Sequence, residues 1–311
     1  MSQTHQQPKH GASRATLYQE VTDRVVGELE QGRVPWVQPW DGARAGLGLP
    51  QNAFSERRYS GINILILWDA VIGRGFGSHH WLTFRQALGL GGHVRKGERG
   101  TTICYADRFV PKDEQARARD EGDEAASIPF LKRFTVFNVE QCEELPEHVF
   151  VRPRPVSEGR IVPAAEALIA ATGADFRTGG GEAFYHRGED YIRVPPQIAF
   201  FEPINYYRTC FHELGHWTGH ASRLARDLTH RFGSQGYARE ELVAEMASAF
   251  LCASHSIVPT VRHADYIGAW LDVLREDSKA IFQAASMASK ASDFVLACGP
   301  KQDLADGEAT R

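Results

Sequence analysis

The stretch Phe211–His220, FHELGHWTGH, places three histidines and a glutamate within nine residues. His212 and His216 stand four apart, so on a helix both imidazoles share one side and can reach one ion. Glu213 follows the first histidine. From there its carboxylate flanks the ion's remaining position and can take a proton from an attacking water. Phe211, Leu214 and Trp217 alternate with these polar positions, as the buried side of the same helix requires.

An ion held for catalysis needs a third protein ligand. In the pattern HExxHxxGxxH the last histidine supplies it; here Gly219 stands in the glycine place, but Ser222 stands in the place of that histidine. His220 comes two positions early and, at eight residues from His212, lies ~12 Å along a helix axis. It reads better as a polar residue at the helix end. A second predicted helix, YAREELVAEMASAFLCA, carries Glu241 and Glu245 one turn apart, with Leu242, Met246, Ala249 and Phe250 as its apolar stripe. One carboxylate can bind the ion while the other accepts a hydrogen bond from a histidine's free nitrogen and fixes its tautomer. Ala244, Ala247, Ser248 and Ala249 are small enough to let the two helices approach. This pairing resembles the glutamate-type zincins, whose second helix reads ExxxD or ExxAD. The resemblance implies Glu241 as the third ligand and a supporting role for Glu245, with glutamate standing where the zincins have aspartate. Adjacent Glu240 and Glu245 stay open as ligands. The expected cofactor is Zn2+ on His212, His216 and Glu241, with Glu213 as general base.

The rest of the chain bounds the reading. Its 311 residues suffice for two ordinary domains, and 42% hydrophobic with 24% charged residues is an ordinary globular composition. No apolar run reaches the ~20 residues of a membrane helix. The polar start, MSQTHQQPKHGASRAT, lacks the apolar core of a secretory signal, so the expected location is cytoplasmic, with no membrane partner. Five cysteines without a CxxC pair argue against a disulfide framework or a thiolate cage and read as core thiols. The net charge of −4 hides an asymmetry. The first 110 residues hold 13 Lys+Arg and 9 Asp+Glu, against 22 and 30 in the remainder. The N-terminal part is mildly basic, which fits weak attraction to nucleic acid.

Residues 1–13 read as a leader, and a helix is predicted from Thr16. GINILILWDAVI is long for a strand and reads as helix. TTICYADRFV and FLKRFTVFNV are rich in β-branched and aromatic residues and read as strands. Between them, residues 111–127 are charged and free of aromatics, a mobile acidic excursion. The alternating prolines of VRPRPVSEGR mark the domain boundary. The expected domains are 14–150 and 160–300. In the second, an Ala-rich helix over 163–172 precedes a two-stranded segment turning near Arg187–Asp190, and helix resumes from Pro203. Residues Ala183–Val194 are either a cleft-lining edge strand, to which an extended peptide could add, or a plain hairpin. Tyr237 and His230, in the connection between the two helices, are candidate donors to an oxyanion.

In the N-terminal block Trp36, Trp40, Tyr59, Trp68, Trp81 and Phe84 are interleaved with arginines and a lysine. Rings for bases beside cations for phosphates suit sequence-tolerant binding of single strands. The candidate contacts are Tyr59, Trp81, Phe84, Arg58, Arg85, Arg95 and Lys96. VPWVQPW, YSGIN, WLTFRQA, VRKGERGT and VFNVEQ, followed by HELGHWTGH and EELVAE, together resemble the ArdC-type antirestriction proteins of conjugative plasmids over roughly residues 15–300. The N-terminal part is also similar to primase-type proteins of the TraC kind. The resemblance implies an α+β protein of two domains, the first binding single-stranded DNA and the second a zincin-like metallopeptidase. It also implies protection of incoming plasmid DNA from host restriction, with a protein substrate left unidentified. The alternative is a DNA-binding antirestriction protein that acts by occupancy, its metal site structural or idle.

Overall fold

The computed structural model describes residues 12–37, 46, 48–109, 117, 128–150, 158–200, 202–258 and 266–299. Residues 1–11, most of the expected acidic excursion, Trp40 and boundary residues 151–157 lie outside the described residues. Helix α1 (Ala12–Glu30) begins before the expected Thr16 and ends at Gly32 in a left-handed turn. Strand β1 (Gln51–Asn52) leads to α2 (Ile62–Arg74), which is the GINILILWDAVI segment as a helix. Its apolar residues point to several sides because it is packed between a sheet and other helices, so Ile62, Ile64, Leu65, Leu67 and Trp68 are all buried. Gly75 closes it in the left-handed conformation.

Strand β2 (His80–Leu82) is followed by α3 (Phe84–Gly89), whose start is fixed by a reciprocal cap between Thr83 and Gln86. Strand β3 (His93–Val94) precedes the long antiparallel pair β4 (Thr101–Phe109) and β5 (Ile128–Asn138), both expected from the sequence. Strand β6 (Cys142–Glu143) pairs with β3. The four-stranded sheet runs β1-β2-β5-β4.

In the second half α4 (Glu158–Ala171) is the Ala-rich helix. The expected hairpin is present as β8 (Phe184–His186) and β9 (Tyr191–Val194), turning through Asp190 at φ 53°. A strand the sequence reading missed, β7 (Asp175–Thr178), pairs parallel to β9 and makes the sheet three-stranded, with β8 at its outer side. Helix α5 (Pro203–Trp217) carries FHELGHW, and α6 (Gln235–Ser254) carries both glutamates. Two further helices, α7 (Ile267–Glu276) and α8 (Ala280–Cys298), complete the described chain. Four of the five cysteines are buried and all are free, in line with core thiols. Among the described residues no helix is long and apolar enough to cross a membrane.

The largest core draws on both halves: α1, α2, β4 and β5 from the first, α6, α7 and α8 from the second. Trp68 meets Phe250 edge-on at 5.7 Å between ring centres, and Trp36 meets Trp270 at 5.4 Å. A second core, under α4, α5 and β9, backs the HExxH helix.

Candidate metal centre

Helix α5 is buried over almost its whole length from Tyr207, with an apolar side of Phe211 and Leu214 against the second core and its polar side against α6. Ser248 Oγ donates to the Arg208 carbonyl at 3.1 Å and ties the two helices together. Their approach brings Glu241 opposite both histidines. His212 Nε2 lies 3.5 Å from one oxygen of Glu241, and His216 Nε2 lies 3.4 Å from the other. Ligand atoms of these three residues all fall within 4.8 Å of one another, a grouping found once among the described residues.

Each histidine also has a carboxylate behind it. His212 Nδ1 is 3.7 Å from Glu245, and His216 Nδ1 is 3.2 Å from Glu240. Glu240 is in turn clamped by Arg226, which donates to it at 2.8 and 3.0 Å and to the Gly215 carbonyl at 2.6 Å. Arg226 crosses directly over Gly219, where a Cβ would lie 2.9 Å from its guanidinium and 3.0 Å from the His216 carbonyl. A side chain at that position would press on the clamp. Sequence reasoning left Glu240 as one possible ligand and gave Arg226 no role. Only the loop that folds Arg226 back over α5 connects them.

The charges are strongly coupled. Burial alone would push the His216 imidazole down, but the Glu241 and Glu240 carboxylates beside it raise it well above its ordinary value. Burial likewise disfavours ionised Glu241, yet His216 and His212 hold its carboxyl far below the usual carboxylate range. Glu241, 4% exposed, stands as a buried carboxylate between two Nε2 atoms, a donor set that a cation would satisfy. The two separations run to different oxygens of Glu241, and with one ligand atom from each residue the three still lie within 4.8 Å, close enough to share one ion. Two imidazoles and a carboxylate suit a divalent transition metal.

The centre opens into a cleft of about 210 Å³. Glu213, 3% exposed, lines it with both histidines and Glu241. So do the two expected oxyanion donors, Tyr237 and His230, and Ala183, Phe184 and Tyr185 at the outer strand β8. Burial, with hydrogen bonds to Tyr266 and Glu241, pushes the Tyr237 phenol far up, so it stays a donor at any physiological pH. His220 is turned away: its Nδ1 meets Ser222 Oγ at 2.7 Å, and it is not among the cleft-lining residues.

Comparison with known proteins places both halves. Residues 163–287 match the family described as zincin-like metallopeptidase, and residues 15–137 match the N-terminal domain of anti-restriction factor ArdC. The crystal structure of the metal-free antirestriction ArdC protein from plasmid R388 superposes with a TM-score of 0.75 at 40% identity, covering 91% of this chain and 97% of that one. This chain belongs to the ArdC antirestriction family. The Mn(II)-bound structure of the R388 protein is equally similar, with a TM-score of 0.75 at 37% identity over 92% and 99% of the two chains. The chain is also 40% identical over 299 residues to an Escherichia coli DNA primase TraC, a match that covers 92% of this chain but 27% of the primase. It thus spans about a quarter of that relative.

In this ArdC family member the seven expected DNA contacts differ in burial and pairing. Trp81 is fully buried in the main core, edge-on to Phe76 at 5.8 Å, which corrects its reading as a stacking ring. Its place on a central strand of the sheet turns the indole inward. Tyr59 is half-buried, its hydroxyl bonded to Asn52. Arg95 is paired with Glu98 at 2.8 Å, and Arg58, though exposed, lies close enough to Asp293 and His255 for its charge to act on both. Phe84, Arg85 and Lys96 are exposed.

Proposed function

We propose that this protein binds single-stranded DNA through its N-terminal half and hydrolyses a protein substrate at a zinc centre in its C-terminal half, protecting incoming plasmid DNA from restriction. The observation that supports it best is the cluster His212, His216 and Glu241 at the floor of a cleft that Glu213 also lines. Three ligands leave a tetrahedral ion one open position, as catalytic sites do, which favours hydrolysis over an idle or purely structural site. Zinc held there supplies a Lewis acid and lowers the pKa of water in contact with it.

The chain's own residues account for the rest. Glu245 and Glu240 set the tautomers of His212 and His216, so that both Nε2 atoms face inward as acceptors. An extended peptide adds to the outer strand β8 and is held across the cleft. Glu213 takes the proton of the attacking water on its carboxylate and passes it to the leaving amine. Tyr237 and His230, which line the cleft, are the candidate donors to the carbonyl oxygen as it gains charge.

The test combines metal analysis of the purified full-length protein with three assays. These are hydrolysis of unfolded casein, binding of labelled oligothymidylate, and plasmid transfer into restricting and non-restricting hosts. About one zinc per chain, casein cleavage by the parent, and its loss in a Glu213→Gln variant that keeps its zinc are the expected results. Equal cleavage by the two proteins would refute Glu213 as base. Full protection in cells by Glu213→Gln would favour action by occupancy.

A further inference from the structure

Two phenylalanines, one following strand β1 and one opening α3, expose more than half of their surface: Phe54 at 53% and Phe84 at 52%. A large apolar ring so exposed stabilises a fold little. Two carried by one hydrogen-bonded network make a candidate binding surface. One side-chain network presents both. Asn52 Oδ1 accepts from the backbone N–H groups of Phe54 and Ser55 at 3.1 and 2.9 Å, closing the turn that carries the first ring. Asn52 Nδ2 donates to Gln86 Oε1 at 3.0 Å, and the same oxygen accepts from the Thr83 N–H at 2.9 Å, at the helix start that carries the second ring. Tyr59 closes the network, its hydroxyl 3.3 Å from Asn52 Nδ2. Glu56, at φ 58°, bends the turn back so that the Arg57 carbonyl accepts from the Asn52 N–H at 2.9 Å. The network thus fixes the backbone that carries both rings. Leu88, one turn after Phe84 on α3, extends the apolar surface at 52% exposed.

The surrounding charge is positive. Arg57, Arg58 and Arg85 are all exposed, against the single acid Glu56 in the segment, and α3 carries no acidic residue. We infer that Phe54 and Phe84 form a platform on which unpaired bases of a single DNA strand stack, with Arg57 and Arg85 taking the adjacent phosphates. The inference rests on the single-strand-binding reading above and gives it a location. Aromatic faces accept any base, so the platform is tolerant of sequence, and a duplex, whose bases are already stacked on one another, cannot use it. The other exposed aromatic pair of this half, Tyr105 and Phe134, packs edge-on at 5.9 Å, ring edge against ring face, which leaves less free face to a base.

The experiment measures anisotropy of a fluorescent oligothymidylate with the full chain at two salt concentrations. The variants are Phe54→Ala, Phe84→Ala and Arg85→Ala, with Tyr105→Ala for the rival pair and Phe150→Ala as an exposed-ring control. Thermal unfolding checks that each keeps its fold. Each platform ring is expected to lose affinity by roughly five-fold to roughly hundred-fold, as stacked rings do. Arg85→Ala is expected to weaken binding and flatten its salt dependence by about one counterion. Phe150→Ala is expected to bind like the parent. Binding by the parent that survives both phenylalanine changes, or falls only with Tyr105→Ala, overturns the platform while leaving single-strand binding standing. No binding by the parent overturns both. If Phe54→Ala or Phe84→Ala instead dissolves a self-associated form and leaves oligonucleotide affinity unchanged, the surface is a protein interface.

Discussion

His79 and His216 are both imidazoles taken out of water, and their neighbours send them in opposite directions. His216 lies between two carboxylates, which raise it well above its ordinary value. His79 is 2% exposed at the base of β2, where burial pushes it down to about 4, only partly offset by its hydrogen bond with the Gly46 carbonyl at 3.0 Å. In the unfolded chain His79 takes a proton as pH falls below about 6.5, whereas the folded site refuses it until about 4. Through that window the unfolded state binds more protons, so the contribution of His79 to stability is complete above about pH 6.5 and is lost as pH falls toward 4. Urea unfolding of the parent and of His79→Gln at pH 7.5 and 4.5 measures this. The parent should lose ~2–3 kcal/mol more than the variant between the two conditions. Equal losses would show that His79 is ionised in the native fold or reached by water.

The metal centre depends on how closely α5 and α6 lie, and Gly215 sets that distance. A Cβ there would stand 3.1 Å from Ala244 Cα and 3.3 Å from its carbonyl oxygen, backbone atoms that cannot yield without moving the helix. Gly215→Val should cost ~1–3 kcal/mol of stability by overpacking and also lower zinc affinity, since Glu241 rides on the displaced helix. Unchanged chelator competition would mean that the ligands adapt independently of helix spacing. A graded effect is expected for the three glutamates: Glu241→Ala loses the ion almost completely, while Glu245→Ala and Glu240→Ala each weaken it by roughly 10–100-fold. If Glu245→Ala empties the centre and Glu241→Ala does not, the ligand and its support are reversed. The spacing of His212, Glu213 and His216 was readable because helical periodicity converts sequence separation directly into shared direction. Glu241 was readable once a second helix with small residues was recognised. The Glu240–Arg226 clamp was not, since it depends on a loop conformation that no periodicity encodes. Trp81 was misread for a related reason: alternation in a three-residue strand is too short to say which face is inward. The parallel strand β7 escaped because its partner β9 follows thirteen residues later and its own sequence, DFRT, is mostly exposed.

Two families match on either side of residues 151–157, yet the packing does not divide there. Trp68 on α2 rests on Phe250 of α6, the helix that carries Glu241, and Trp36 rests on Trp270. Polar ties reinforce the junction: Thr22 donates to the Ser278 carbonyl and the Gly61 N–H to Ser289, both at 2.7 Å. A core shared in this way couples the stability of the two halves, because neither can unfold without exposing the other's large apolar surface. A ligand that binds only the folded C-terminal half should therefore protect the N-terminal half as well. At a zinc concentration about 100 times the dissociation constant the native state gains ~2.7 kcal/mol, which slows exchange about a hundred-fold at amides that open only by global unfolding. Hydrogen exchange followed by mass spectrometry, with and without zinc, reads this out on separate peptides. Peptides from α2, residues 62–74, and from α5, residues 203–217, should slow by the same factor. The same zinc added to Glu241→Ala should slow neither. Protection that rises in α5 while α2 exchanges as before would show two independently folding halves joined by a contact too weak to couple them.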